Sequence, residues 1–125
     1  MKLKCYVAGP YSVPDPVANV AKACKFAGWL LDRGYNVFVP HLNMLLHMME
    51  QRSWDDWLNI DLEWLEKCDC LIRLPGESKG SDLEVAAAKE RHIPYYALSG
   101  DSERERSNLL HWLADVDASR KARSK

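Results

Sequence analysis

Apolar residues fall in short clusters along the chain, and the spacing within each cluster assigns an element. Residues 3–8, LKCYVA, read as a β-strand ended by Gly9-Pro10. After the loop YSVPDP, Asp15 caps a helix with Pro16 in its first turn, where proline is tolerated because no N–H is needed. Val17, Val20, Ala21, Cys24, Ala27 and Leu31 mark one face of that helix, and Gly34 stops it. Residues 36–39 give a second short strand, broken by Pro40. Helical spacing returns after Ser53, a cap for a helix running to Lys67, and residues 69–74 form a third strand. A turn over 75–80 leads to an alanine-rich helix over 81–91, whose composition suits close packing on a sheet. Residues 94–98 are a fourth strand, and after Gly100 a charged loop leads to a last helix around Leu109, Leu110 and Leu113. Strands alternating with helices build βαβ units, which predicts a mostly parallel sheet of four to five strands with right-handed crossovers.

Three places break the pattern. Apolar residues at 54, 57, 58, 62 and 65 form one helix face, and Asp61 occupies its centre, where a leucine is expected. An acid on a buried stripe needs a partner or a ligand, because burying it alone is costly. A backbone or arginine partner is the structural alternative. Glu84 follows a glycine-containing turn at the start of a helix, where free N–H groups and the dipole favour anions. Ser81-x-x-Glu84 also spells a capping box, which needs no chemistry. The third is residues 41–52, HLNMLLHMMEQR, apolar nearly all round with three methionines and two histidines. Such a stretch is buried by a partner subunit or forms an adaptable ligand lid.

Composition narrows the class. A chain of 125 residues that is 47% hydrophobic suits one globular domain, expected over 1–116, with 117–125 as a flexible basic tail. With 17 basic and 18 acidic residues, no charge balance argues for nucleic-acid binding. No apolar run approaches a membrane span and no signal-peptide core opens the chain, so a cytoplasmic location is expected. Cys5, Cys24, Cys68 and Cys70 lack C-x-x-C spacing and are expected as buried, reduced thiols, so no metal and no cofactor is expected.

In parallel sheets, ligands bind in the crevice outside the carboxyl ends of the strands. That gathers the loop from Gly9 through Tyr11 and Ser12, the segment at His41, and Ser78 and Gly80 leading to Glu84; Asp61 faces the same crevice. G-x-G-x-x-G, Walker A and nucleophile-elbow patterns are missing. What remains is a carboxylate site with a small anion pocket. Carboxylates supply nucleophiles and acids for cleaving bonds at an anomeric carbon.

The run DLEWLEKCDCLIRLPGESKGSDLEVAAA, with YVAG before it and Ser78-x-Gly80-x-x-x-Glu84 within it, resembles the nucleoside 2-deoxyribosyltransferase superfamily. Its 2'-deoxynucleoside 5'-phosphate N-hydrolase branch is the more similar part, and AGPYS and VPH look like an uncharacterised bacterial and phage branch. The resemblance covers residues 3 to about 98. It implies a flavodoxin-like fold, no metal, and a homodimer whose subunits complete each other's sites. It implies Glu84 as nucleophile on C1' and Asp61 at the base, assisting its departure. Tyr11 would orient the glutamate or the sugar, and His41 would lie near the base. Ser78 stands where transferases of the superfamily carry an Asp and the nucleotide N-hydrolases a Ser. The resemblance thus implies cleavage of the N-glycosidic bond of a nucleoside 5'-monophosphate. The alternatives are base exchange between deoxynucleosides and a non-catalytic nucleotide-binding module. The chain departs from the pattern in having Ala86 where a glycine is frequent, and in lacking an arginine in its first loop.

Overall fold

Period-two alternation in the two central strands divides the interior into two layers. In β1 (Lys4–Ala8), Cys5 and Val7 face one side of the sheet and Tyr6 and Ala8 the other. In β3 (Cys70–Arg73), Cys70 and Ile72 join the first side and Leu71 the second. β2 (Asn36–Phe38) pairs with the outer edge of β1, and β4 (Tyr95–Ala97) with β3. All pairings are parallel, in the order β2-β1-β3-β4. This computed structural model, which describes residues 1–123, is therefore an α/β flavodoxin-like fold with four strands.

The helices cover both faces. α1 (Pro16–Asp32) and α5 (Glu103–Arg123) close the first layer with Phe26, Leu30, Leu109 and Leu113. α3 (Trp54–Leu65) and α4 (Lys79–Glu90) close the second with Leu65, Ala87 and Ala88. Pro40–Asn43 form a single 3-10 turn that runs into α2 (Met44–Met49).

Asp15 caps α1 by accepting from Val17 N, Ser53 caps α3 by accepting from Asp56 N, and Gly34 ends α1 at a φ of +90°. The buried face of α1 is not the expected one. Asn19, Ala23, Phe26, Ala27 and Leu30 turn inward, while Val17, Cys24 and Leu31 are exposed. A polar residue belongs to the inner stripe because the Asn19 amide donates to Tyr11 O at 2.9 Å and Val13 O at 3.0 Å, tying down the loop after β1. Cys5 and Cys70 are buried free thiols, but Cys24 is exposed and Cys68 half-buried, so burial does not extend to all four.

α4 starts at Lys79, two residues before the expected Ser81. Residues 117–123, read from sequence as tail, continue α5, where Arg120 donates to Asp117 at 2.7 Å and to Met1 O at 2.7 Å. The rest of that expected tail, residues 124–125, lies outside the described residues. No helix among the described residues is long and apolar enough to cross a membrane.

Candidate active site

β1 and β3 are neighbours in space, yet the chain visits β2 between them, so the loops leaving their carboxyl ends diverge and open a crevice. The loop after β3 packs against the loop after β1 through Gly76. Its φ is +119°, and a Cβ there would lie 2.7 Å from Pro10 Cγ, so only glycine fits. The crevice is a cavity of about 670 Å³. The loop after β1 contributes Gly9, Tyr11 and Ser12 to its wall, the 3-10 turn contributes His41, and α3 contributes Asp61. Ser78, Gly80 and Glu84 close the opposite side. All eight residues singled out in the sequence thus line one cavity.

Glu84 lies in the second turn of α4 and is only 6% exposed. It is not a cap. Ser78 is the N-cap, accepting from Ser81 N at 3.1 Å, so the Ser81-x-x-Glu84 box does not form. Arg73 at the end of β3 fixes this corner by donating to Asp82 Oδ1 at 2.9 Å and to Ser78 O at 3.5 Å. The partner of Glu84 is Tyr6, whose hydroxyl donates to Oε2 from the fully buried centre of β1. Burial pushes the Glu84 carboxyl up to about 8, and a hydroxyl donating to the anion opposes that push.

Asp61 accepts a hydrogen bond on Oδ1 from Asn43 Nδ2 at 3.1 Å. Burial raises its carboxyl to about 7, with the Asn43 bond pulling the other way. The apolar stripe around it divides. Leu62 and Leu65 pack into the core beneath the sheet, whereas Trp54, Trp57 and Leu58 join Asp61 in the cavity wall.

His41 is buried, with Nε2 3.0 Å from Pro10 O. Donation from Nε2 leaves Nδ1 as an acceptor, and Nδ1 is buried with no protein partner. Burial, the larger influence, lowers the His41 pKa, while the Pro10 and Gly9 carbonyls raise it. Tyr11 lies edge-on to the His41 ring at 6.3 Å. The tyrosine hydroxyl on Glu84 is that of Tyr6. A second buried orphan, Ser81 Oγ, sits in the wall at the first turn of α4, beside Lys79 and Gly80.

Tyr6, Asn43, Trp57 and Ser81 were not among the site residues expected from the sequence. Tyr6 is an ordinary strand residue by propensity, although its hydroxyl is the one polar side-chain group of a wholly buried strand segment. Trp57 Nε1 donates to His47 Nδ1 at 2.8 Å, a contact between α3 and α2 that no local spacing announces. Among the described residues, no three His, Cys, Asp or Glu side chains group as metal ligands.

A family model described as a domain of unknown function, DUF7768, matches residues 3–98. The chain belongs to that family. This DUF7768 domain shares its fold with nucleoside 2-deoxyribosyltransferases. A 2-deoxyribosyltransferase from Leishmania mexicana superposes with a TM-score of 0.59 at 20% identity. That match covers 80% of this chain and 66% of the neighbour, so the DUF7768 chain spans just under two thirds of it. The 2-deoxyribosyltransferase from the psychrotolerant bacterium Bacillus psychrosaccharolyticus, described as a biocatalyst for nucleoside synthesis, matches with a TM-score of 0.58 at 25% identity. The shares covered are 79% of this chain and 75% of that enzyme. No curated protein matches the chain in sequence.

Proposed function

We propose that this chain breaks the N-glycosidic bond of a 2-deoxyribonucleoside unit through a covalent intermediate on Glu84. The observation that carries the reading is the pair of carboxylates in one cavity, one of them, Glu84, buried and held by the hydroxyl of Tyr6. A Glu84 oxygen attacks C1', and the C1'–N bond breaks with its electrons passing to the base nitrogen. Asp61 delivers the proton that lets the base leave. Attack on C1' by a second acceptor frees Glu84 and restores the starting configuration. Tyr11 and Ser12, on the wall formed by the loop after β1, would face the sugar, with His41 beside them.

The acceptor decides between two reactions. Transfer of the deoxyribosyl group to a second base is the reading that the structural neighbours support better. Hydrolysis of 5'-monophosphates is the second reading, favoured by the first turn of α4. There Ser78, Lys79, Gly80 and Ser81 line the cavity with no acidic residue in the place of Ser78. The apolar segment of α2 supports a homodimer as the working form.

Base release from a panel of deoxynucleosides and their 5'-monophosphates, with and without a second free base, tests both readings by chromatography. Exchange products from nucleosides support transfer. Free base from monophosphates alone supports hydrolysis, and Ser78→Asp then weakens the monophosphate reaction far more than the nucleoside one. A protein that releases no base from any member of the panel contradicts the proposal and leaves a binding module.

A further inference from the structure

Asn43 occupies the N-cap position of α2, where an Asn side chain ordinarily accepts from its own helix. It makes no such bond. Its amide instead reaches across to α3 and donates to Asp61 Oδ1 at 3.1 Å. One Asp61 oxygen is thereby occupied by a donor that cannot be turned to any other use without breaking the contact.

We infer that Asn43 is a positioning residue for the acid: by holding Oδ1 it places the exchangeable proton of Asp61 on Oδ2, the oxygen left for the departing base. This rests on the reading of Asp61 as the acid that serves the leaving group. A carboxylic acid whose Oδ1 accepts an N–H bond carries its proton on the other oxygen, because the carbonyl oxygen is the better acceptor and a proton on Oδ1 would repel the amide hydrogen. The same bond stabilises the anion, so Asn43 sets both the direction and the readiness of proton delivery. Burial and Asn43 are the two influences resolved on Asp61 among the described residues. The other titratable side chains that line the cavity with it are His41 on the 3-10 turn, His47 on α2, Lys79 and Glu84 on α4, and Tyr11, Arg52 and Glu77 on the loops.

Carbon-13 NMR of the Asp carboxyl carbons in the full chain, with Asp61 assigned by its loss in Asp61→Asn, reads this without any turnover. Asn43→Ala removes the donor and is expected to raise the Asp61 midpoint by roughly half a pH unit or more. Asn43→Asp has the same shape, places a like charge beside Asp61, and is expected to raise it further. In the active enzyme, the pH optimum of kcat moves upward in the same order and kcat falls. An anchor that merely secured α2 would alter Tm and KM and leave the midpoint in place. If the alanine variant does not fold, Asn43→Leu, which keeps the volume and lacks the amide donor, decides in its place. Unchanged midpoints overturn the inference whatever the activity. Shifted midpoints in a protein inert toward every nucleoside and nucleotide overturn the proposed function instead, and the Asn43–Asp61 coupling stands.

Discussion

Tyr6 and the burial of Glu84 act in opposite directions on one carboxyl group. Desolvation lifts it to about 8, and the Tyr6 hydroxyl favours the ionised form that a nucleophile needs. Tyr6→Phe is therefore expected to lower kcat on the order of a hundredfold, the scale of losing one preorganised donor, and to move the pH optimum upward. If Glu84 is the nucleophile and Asp61 the acid, turnover needs the first ionised and the second protonated, and the activity of the unmodified protein should peak midway between about 7 and about 8, at about 7.5. Stability follows the same titration. The folded chain keeps the Glu84 proton across the range from its ordinary 4.5 to about 8, where the unfolded chain has already lost it. Stability thus falls as pH rises through that range. Glu84→Gln removes this dependence, so its gain in unfolding free energy over the unmodified protein should grow between pH 5 and pH 8, with a ceiling of about a few kcal/mol. A gain that is flat with pH contradicts the burial account. Asp61 was legible in the sequence because it interrupts an apolar stripe, and Glu84 because it follows a glycine-containing turn at the start of a helix. Tyr6 was not, because tyrosine fits a strand pattern and only the third dimension puts Glu84 above it.

Elements show where period alone stops informing. On α3 the apolar stripe is a single sequence pattern serving two purposes, half core and half cavity wall, and nothing in its spacing marks the division between Leu58 and Leu62. On α1 the inner face was misassigned because Asn19 is polar and yet buried by its bonds to the loop carbonyls. Caps were legible at Asp15 and Ser53, where the side chain bonds within its own first turn. The α4 start was displaced because both Ser78 and Ser81 satisfy the local rule, and Arg73 decides between them by holding Ser78 O and Asp82. α2 is joined to α3 by two side-chain bonds, Asn43 to Asp61 and Trp57 to His47. Trp57→Phe keeps the ring and loses the donor. It should lower stability by about 1 kcal/mol in thermal unfolding, and raise KM several-fold with less effect on kcat, because the wall element α2 is then held less firmly. An unchanged KM would show that α2 does not shape the binding site.

For the whole molecule, the outer face of α2 is the unsolved surface of an isolated chain. Leu45, Leu46, Met48 and Met49 are all well exposed, Met49 at 87% and Leu45 at 67%, and they lie beside the cavity that Met44 and His47 help to form. An apolar patch of this kind calls for a partner surface. Light scattering at micromolar concentration should give twice the mass of the chain, and Leu46→Glu should shift it toward a monomer while leaving the far-UV circular dichroism intact. A monodisperse monomer for the unmodified protein contradicts the dimer. The sheet order was not legible, since local patterns carry no information on which strands become neighbours. The general rule that parallel sheets bind at their carboxyl ends was enough to collect the site residues without it.

On the proposed mechanism, Glu84 forms a covalent bond to C1' of the sugar. Rapid acid quench of the enzyme with a deoxynucleoside or its 5'-monophosphate, followed by intact-mass and peptide mass spectrometry, reads that bond directly. A glycosyl adduct is expected on the peptide carrying Glu84, appearing together with released base, and no adduct and no turnover in a folded Glu84→Gln variant. An adduct on another residue, or a Glu84→Gln variant that turns over at the unmodified rate, would overturn Glu84 as the nucleophile.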